Sequence, residues 1–162
     1  MRYHDIKTAD MLNGMGIRVT LFVAGCNHYC KGCHNPITWD PQGGLLFDEK
    51  AKQELFEELG KDYCKGITFS GGDPLYPDNR ADITALAKEI KEKFPEKDTW
   101  LYTGFAYEEV CNLEVMNYID VLVDGEYMEE LKDINYKWAG STNQIVIDVK
   151  ESLKNGNNKR YL

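Results

Sequence analysis

Three of the five cysteines fall within eight residues, in Gly25-Cys26-Asn27-His28-Tyr29-Cys30-Lys31-Gly32-Cys33-His34. Their Cys-x3-Cys-x2-Cys spacing delivers three thiolates from one short loop, and thiolates ligate both zinc and iron–sulfur clusters. Three ligands on a 4Fe-4S cubane leave one iron open, where a small molecule can coordinate. Zinc is a competing reading, with His28 or His34 as the fourth ligand. Cys30-Lys31-Gly32-Cys33-His34 also matches the C-x-x-C-H pattern of haem attachment, which would leave Cys26 idle. Three buried cysteines without a ligand role are a poor fit to a loop rich in glycine and asparagine.

A second motif, Ser70-Gly71-Gly72-Asp73-Pro74-Leu75, favours the open-iron cluster. Alone, a Gly-Gly-Asp-Pro run is usually a turn. Here it follows an apolar strand, as the cysteine loop does, and adjacent parallel strands would bring the two loops together. Glycines let backbone groups approach a ligand closely. Their amides and carbonyls, with Asp73, could hydrogen-bond an amino-acid head group held on the open iron.

The elements that must position these loops alternate. Residues 18–24, 66–70, 99–103, 119–123 and 144–148 read as short buried strands, the pattern of a sheet covered on both faces. Between them, Asp48 can cap a helix carrying Ala51, Leu55, Phe56 and Leu59 on one face, with Gly60 to stop it. A second helix aligns Ile83, Leu86, Ala87, Ile90 and Phe94 and ends before Pro95, and a shorter one covers residues 107–112. The expected architecture is α/β: a curved, mostly parallel sheet forming an incomplete (βα) barrel of about five or six units. An open doubly wound sheet is the alternative. In either, active residues belong at the carboxyl ends of the strands.

With 162 residues, the chain reads as one domain over residues 1–149 and a polar tail over 150–162, where residues 155–158 form a turn or a disordered stretch. A net charge of -8 disfavours non-specific nucleic-acid binding, which needs cations against phosphates. No apolar run suits a bilayer span, and the first residues carry no signal-peptide core. The chain is therefore expected in the cytoplasm, where thiols stay reduced.

At these residues the sequence resembles the radical S-adenosylmethionine superfamily. Within it, the chain is similar to the activating proteins of anaerobic ribonucleoside-triphosphate reductase. The likeness runs from about Tyr3 to Gln144. It includes Asn13-Gly14-Met15-Gly16-Ile17-Arg18, the cysteine loop, the Gly-Gly-Asp-Pro element, Tyr102-Thr103-Gly104-Phe105, Val123-Asp124-Gly125 and Trp138-Ala139-Gly140-Ser141-Thr142-Asn143-Gln144. Three positions depart from the subgroup: Met15 replaces its usual Pro, His34 its usual Tyr or Phe, and Ala139 its usual Arg.

The resemblance implies that Cys26, Cys30 and Cys33 ligate a 4Fe-4S cluster whose fourth iron chelates the methionyl end of S-adenosyl-L-methionine. It places Gly32, Cys33, His34, Gly71, Gly72 and Asp73 against that cofactor, with Thr103 and Asp124 as further contacts. Asp124 otherwise caps its Asp-Gly turn. One electron, from a donor such as flavodoxin, would break the C5′–S bond to give methionine and a 5′-deoxyadenosyl radical. That radical would take hydrogen from a glycine of the reductase, leaving a glycyl radical. The alternatives are activation of another glycyl radical enzyme of the formate-lyase type, or a non-catalytic zinc or iron–sulfur interaction module. A homodimer is a further expectation. His28 reads as a surface residue, Arg18 as a surface salt bridge or a carboxylate anchor, and Cys64 and Cys111 as thiols without catalytic duty.

Overall fold

The computed structural model describes residues 1–157 and 159–161. Seven strands form one sheet: β1 (Arg2–Asp10), β2 (Arg18–Val23), β3 (Leu45–Leu46), β4 (Gly66–Gly71), β5 (Asp98–Tyr102), β6 (Val121–Asp124) and β7 (Ile145–Asp148). Their spatial order is β3-β1-β2-β4-β5-β6-β7, and residues 159–161 bridge onto the outer edge of β7. The β2–β4, β4–β5 and β5–β6 pairings are parallel; β1–β2, β1–β3 and β6–β7 are antiparallel. The expected mostly parallel, incomplete (βα) barrel is thus corrected to an open, mixed sheet.

The physical reasons lie at the two ends. β1 buries only Ile6 and Asp10 among its nine residues, so it presents no apolar run to a reader of the sequence. From β6 to β7 the chain crosses no α-helix, containing only a single 3₁₀ turn at Glu129–Leu131, and it returns antiparallel. The parallel centre does follow the βαβ logic, because α1 (Glu49–Leu59) lies in the crossover from β2 to β4, α2 (Arg80–Lys93) in that from β4 to β5, and a short helix at residues 107–110 in that from β5 to β6.

Strand alternation divides the core between the two faces of the sheet. Val19, Leu21, Val23, Ile67, Phe69, Leu101 and Leu122 pack with Leu55, Leu59, Ile83, Ala87 and Ile90 of the helices. On the opposite face Trp100, Val121 and Val123 are covered by Met15, Trp138, Ala139 and Tyr161 from loops and the chain end. The Asp48 side chain accepts from the Ala51 amide and caps α1 as expected. Residues 149–155 form α4 (Val149–Asn155), and the Tyr161 amide donates to Val146 O; Asn158, part of the expected turn, lies outside the described residues.

Arg18 has no exposed surface. Its guanidinium donates to Thr68 Oγ1 at 2.8 Å and to Ile67 O at 2.8 Å, and lies 2.6 Å from Asp98 Oδ1. The surface salt bridge is therefore corrected to an interior one that ties β2 to β4 and β5. Asp10 is also buried, accepting from Thr20 Oγ1, Asn13 Nδ2 and the Leu12 amide. Burial pushes its carboxyl up, but those hydrogen bonds and Lys7 outweigh burial and hold it below the usual carboxylate range. A carboxyl lowered in the folded state adds stability above its unfolded pKa, and that stability is lost as pH falls through the folded value. Asp10→Asn is accordingly expected to flatten the acid limb of thermal stability below about pH 4, read by melting across pH.

Candidate functional site

Segments leaving the carboxyl ends of β2, β4, β5 and β6 converge on one cavity. Cys26, His28, Cys30, Cys33 and His34 come from the loop after β2, with Thr38 and Trp39 from the turn that follows. The segment after β4 contributes Gly71, Gly72 and Asp73, that after β5 Thr103 and Gly104, and that after β6 Gly125 and Tyr127. Gly140 and Gln144 close the wall. The two loops singled out in the sequence are stitched together by backbone: the Gly72 amide donates to Val23 O at 2.8 Å, and the Asp73 amide to Gly25 O at 2.7 Å.

Of the residues expected at the cofactor, Gly32 and Asp124 do not line the cavity. Gly32 has a positive φ of +78°, and a Cβ there would meet the Glu129 side chain at 2.9 Å. Asp124 accepts from the Tyr107 amide at 2.9 Å and the Ile145 amide at 3.1 Å, fastening α3 (Tyr107–Val110) and β7 beside the site. Burial raises its carboxyl despite these bonds. Asp73 does line the cavity, but protein donors occupy both its oxygens. Oδ1 accepts from the Leu75 amide and Thr103 Oγ1, and Oδ2 from the Gly104 amide, with His28 Nε2 at 2.6 Å.

Reading the sequence missed Tyr127, whose ring lies 5.4 Å from that of His34. It also missed His28, which is mostly buried, with 11% of its side chain exposed, instead of lying on the surface. Neither role has a local signature, since each depends on partners far away in the chain. Gln144 belonged to a recognisable terminal motif, and its part is now visible. Its side chain accepts from the Gly140 and Ser141 amides and donates to Gly125 O, tying β7 to the turn after β6.

Two of the three thiols, Cys26 and Cys30, are shifted toward the protonated form by their surroundings. Burial pushes Cys26 up to about 11, and burial also raises Cys30. The hydrogen bond to Asp73 raises His28, against the opposing effect of burial. Metal ligation needs thiolates, so loading the site must displace protons. In the metal-free protein, Cys26 alkylation is expected to keep rising about tenfold per pH unit beyond pH 9, where an unperturbed thiol has levelled off. Peptide mapping after timed iodoacetamide treatment measures this.

Residues 12–147 match a family described as a 4Fe-4S single cluster domain. The chain is 46% identical over 144 residues to the anaerobic ribonucleoside-triphosphate reductase-activating protein of Enterobacteria phage T4, covering 89% of this chain and 92% of that protein. The chain belongs to this family. Proteins with the same name from Salmonella typhi and Escherichia coli are 43% and 41% identical, each over 90% of this chain and 97% of their own length.

The family's cluster suits the donors present. Three thiols of one loop face one cavity, and the Asn35 backbone N–H donates to the Cys33 sulfur at 3.4 Å. Such hydrogen bonds are what a cluster's sulfurs accept. Among the described residues no three His, Cys, Asp or Glu side chains gather as they do around a single ion. Thiolates that each take a separate iron of a cluster need not converge on one point. Among the described residues, no helix is long and apolar enough to cross a membrane.

Proposed function

We propose that this chain activates an anaerobic ribonucleoside-triphosphate reductase by radical S-adenosylmethionine chemistry. The observation carrying the reading is that three clustered thiols, Cys26, Cys30 and Cys33, share one cavity with the glycine-rich turn Gly71-Gly72. Names borne by its relatives agree with it. When bound, the cluster supplies one electron that splits S-adenosylmethionine into methionine and a 5′-deoxyadenosyl radical, which takes hydrogen from a glycine of the partner.

This chain's own residues have three tasks. Cys26, Cys30 and Cys33 hold three irons. The backbone of Gly71 and Gly72, with Thr103, meets the methionyl amino and carboxylate groups, as glycines permit close backbone approach. His34 and Tyr127 offer aromatic faces to the nucleobase. Asp73 serves indirectly, by fixing Thr103, Gly104 and His28. No side chain need act as a general base or nucleophile, because the bond-breaking chemistry belongs to the cofactor. Flavodoxin as electron donor, a homodimeric state and a cytoplasmic setting complete the proposal.

The test is anaerobic reconstitution with iron and sulfide, followed by S-adenosylmethionine, a one-electron reductant and the reductase. Formation of 5′-deoxyadenosine together with a glycyl radical doublet on the reductase is the expected result. Stoichiometric zinc with no iron uptake overturns the proposal, as does a reducible cluster that yields no 5′-deoxyadenosine even with the partner present.

A further inference from the structure

We infer that His28 is a positioning residue that locks the cysteine loop onto the loops following β4, β5 and β6. It lies midway between Cys26 and Cys30, so holding its ring holds the stretch of chain that carries both sulfurs. From Asn27 to His34, among the described residues, the loop's one backbone–backbone hydrogen bond is internal, from the Cys33 amide to Cys30 O at 3.1 Å. Its hydrogen-bonded attachment to the body of the protein, among the described residues, is the His28 ring.

That ring is held from several sides. Nε2 lies 2.6 Å from Asp73 Oδ2, and Nδ1 lies 3.4 Å from Glu126 Oε2. The Phe105 ring packs against the imidazole in a T-shaped arrangement, with centroids 4.7 Å apart. Asp73, 1% exposed, is immobilised by the Leu75 and Gly104 amides and by Thr103 Oγ1, so the histidine docks on a rigid acceptor. Gly104 leaves the space the ring occupies, since a Cβ there would lie 2.5 Å from His28 Cδ2. One imidazole therefore joins segments from four parallel strands at the point where the sulfurs must keep their spacing.

The role rests on the cluster assignment of Cys26, Cys30 and Cys33 proposed above. Its test compares wild-type protein, reconstituted with iron and sulfide, with His28→Ala, His28→Phe and His28→Gln. Phenylalanine keeps the ring packing without hydrogen bonds, whereas glutamine can still donate to Asp73. A ferrous chelator is expected to strip iron roughly 10- to 100-fold faster from the Ala and Phe variants. The Gln variant should stay close to wild type, and only wild type and Gln should show a change in the reduced-cluster EPR spectrum on adding S-adenosylmethionine.

Gly104→Ala provides an independent arm: it leaves every hydrogen-bonding group in place yet displaces the imidazole, so it should lose iron as the Phe variant does. Because it leaves His28 itself unchanged, the question stays answerable if the Ala or Phe variant fails to fold. A Phe variant that retains iron like wild type overturns the inference, because packing alone then suffices. A Gln variant as leaky as Ala overturns it too. Wild-type protein that takes up no iron overturns the cluster assignment and this role with it, whereas iron-replete wild type with indifferent variants overturns the positioning role alone.

Discussion

Cys33→Ala is expected to lose cluster iron and reduce 5′-deoxyadenosine formation to background, with the same outcome for Cys26→Ala and Cys30→Ala. A three-thiolate site already leaves one iron for the cofactor, so no ligand is redundant. The chain offers no substitute thiol. Cys64 is 2% exposed, lies in the main core and donates to Gly66 O. Cys111 follows α3 and contacts Glu108 O at 3.8 Å, and neither cysteine lines the cavity. Cys111→Ser should therefore keep full iron content and full product. Because Cys33 is only partly buried, removing its sulfur should leave the fold intact, which circular dichroism of the metal-free variant would verify. Iron analysis and product assay on the four proteins decide the matter. An active Cys33→Ala protein would remove that residue from the ligand set.

The second large effect is expected from Gly72→Ala. A Cβ at this position would lie 2.5 Å from Gly25 O and 2.8 Å from Thr38 O. Both are backbone atoms, one at the start of the cysteine loop and one in the turn that follows it, so the clash cannot be relieved by rotating a side chain. Relief requires the two loops to separate, which strains the 2.8 Å bond from the Gly72 amide to Val23 O and the 2.7 Å bond from the Asp73 amide to Gly25 O. Overpacking of this kind costs about 1–3 kcal/mol. Expressed at the site, that corresponds to a roughly 5- to 150-fold loss of cofactor affinity. Calorimetric titration of iron-loaded protein with S-adenosylmethionine measures it. Gly60→Ala is the control: its added Cβ would meet nothing nearer than 3.5 Å, and its affinity should match wild type. Unchanged binding in Gly72→Ala would show that the cofactor does not depend on the close approach of these loops.

Much of this site was legible because its parts are local. Cys26, Cys30 and Cys33 occupy one loop, and Gly71-Gly72-Asp73 occupies another directly after a strand, so their chemistry can be read without knowing the fold. The parallel strands β2, β4, β5 and β6 were equally plain, since burial on both faces writes continuous apolar runs into the sequence. β1 was invisible for the opposite reason. It buries two side chains of nine, and its place in the sheet comes from backbone pairing with β2 and β3, which leaves no pattern of residue types.

The residue types and their spacing were enough to specify the donor set and the elements that present it: thiolates on one loop, glycines on the next, both at the carboxyl ends of buried strands. Only the tertiary structure decided how the sheet ends and what encloses the site. The antiparallel return of β7 carries Gln144 back to Gly125, and the segment after β6 brings Glu126 and Tyr127 over the cysteine loop. His28 shows the reason most directly, for its anchor Asp73 lies 45 residues away. A side chain whose role is set by a distant partner carries no local signature, and the sheet that brings the two within 2.6 Å is what gives the histidine its function.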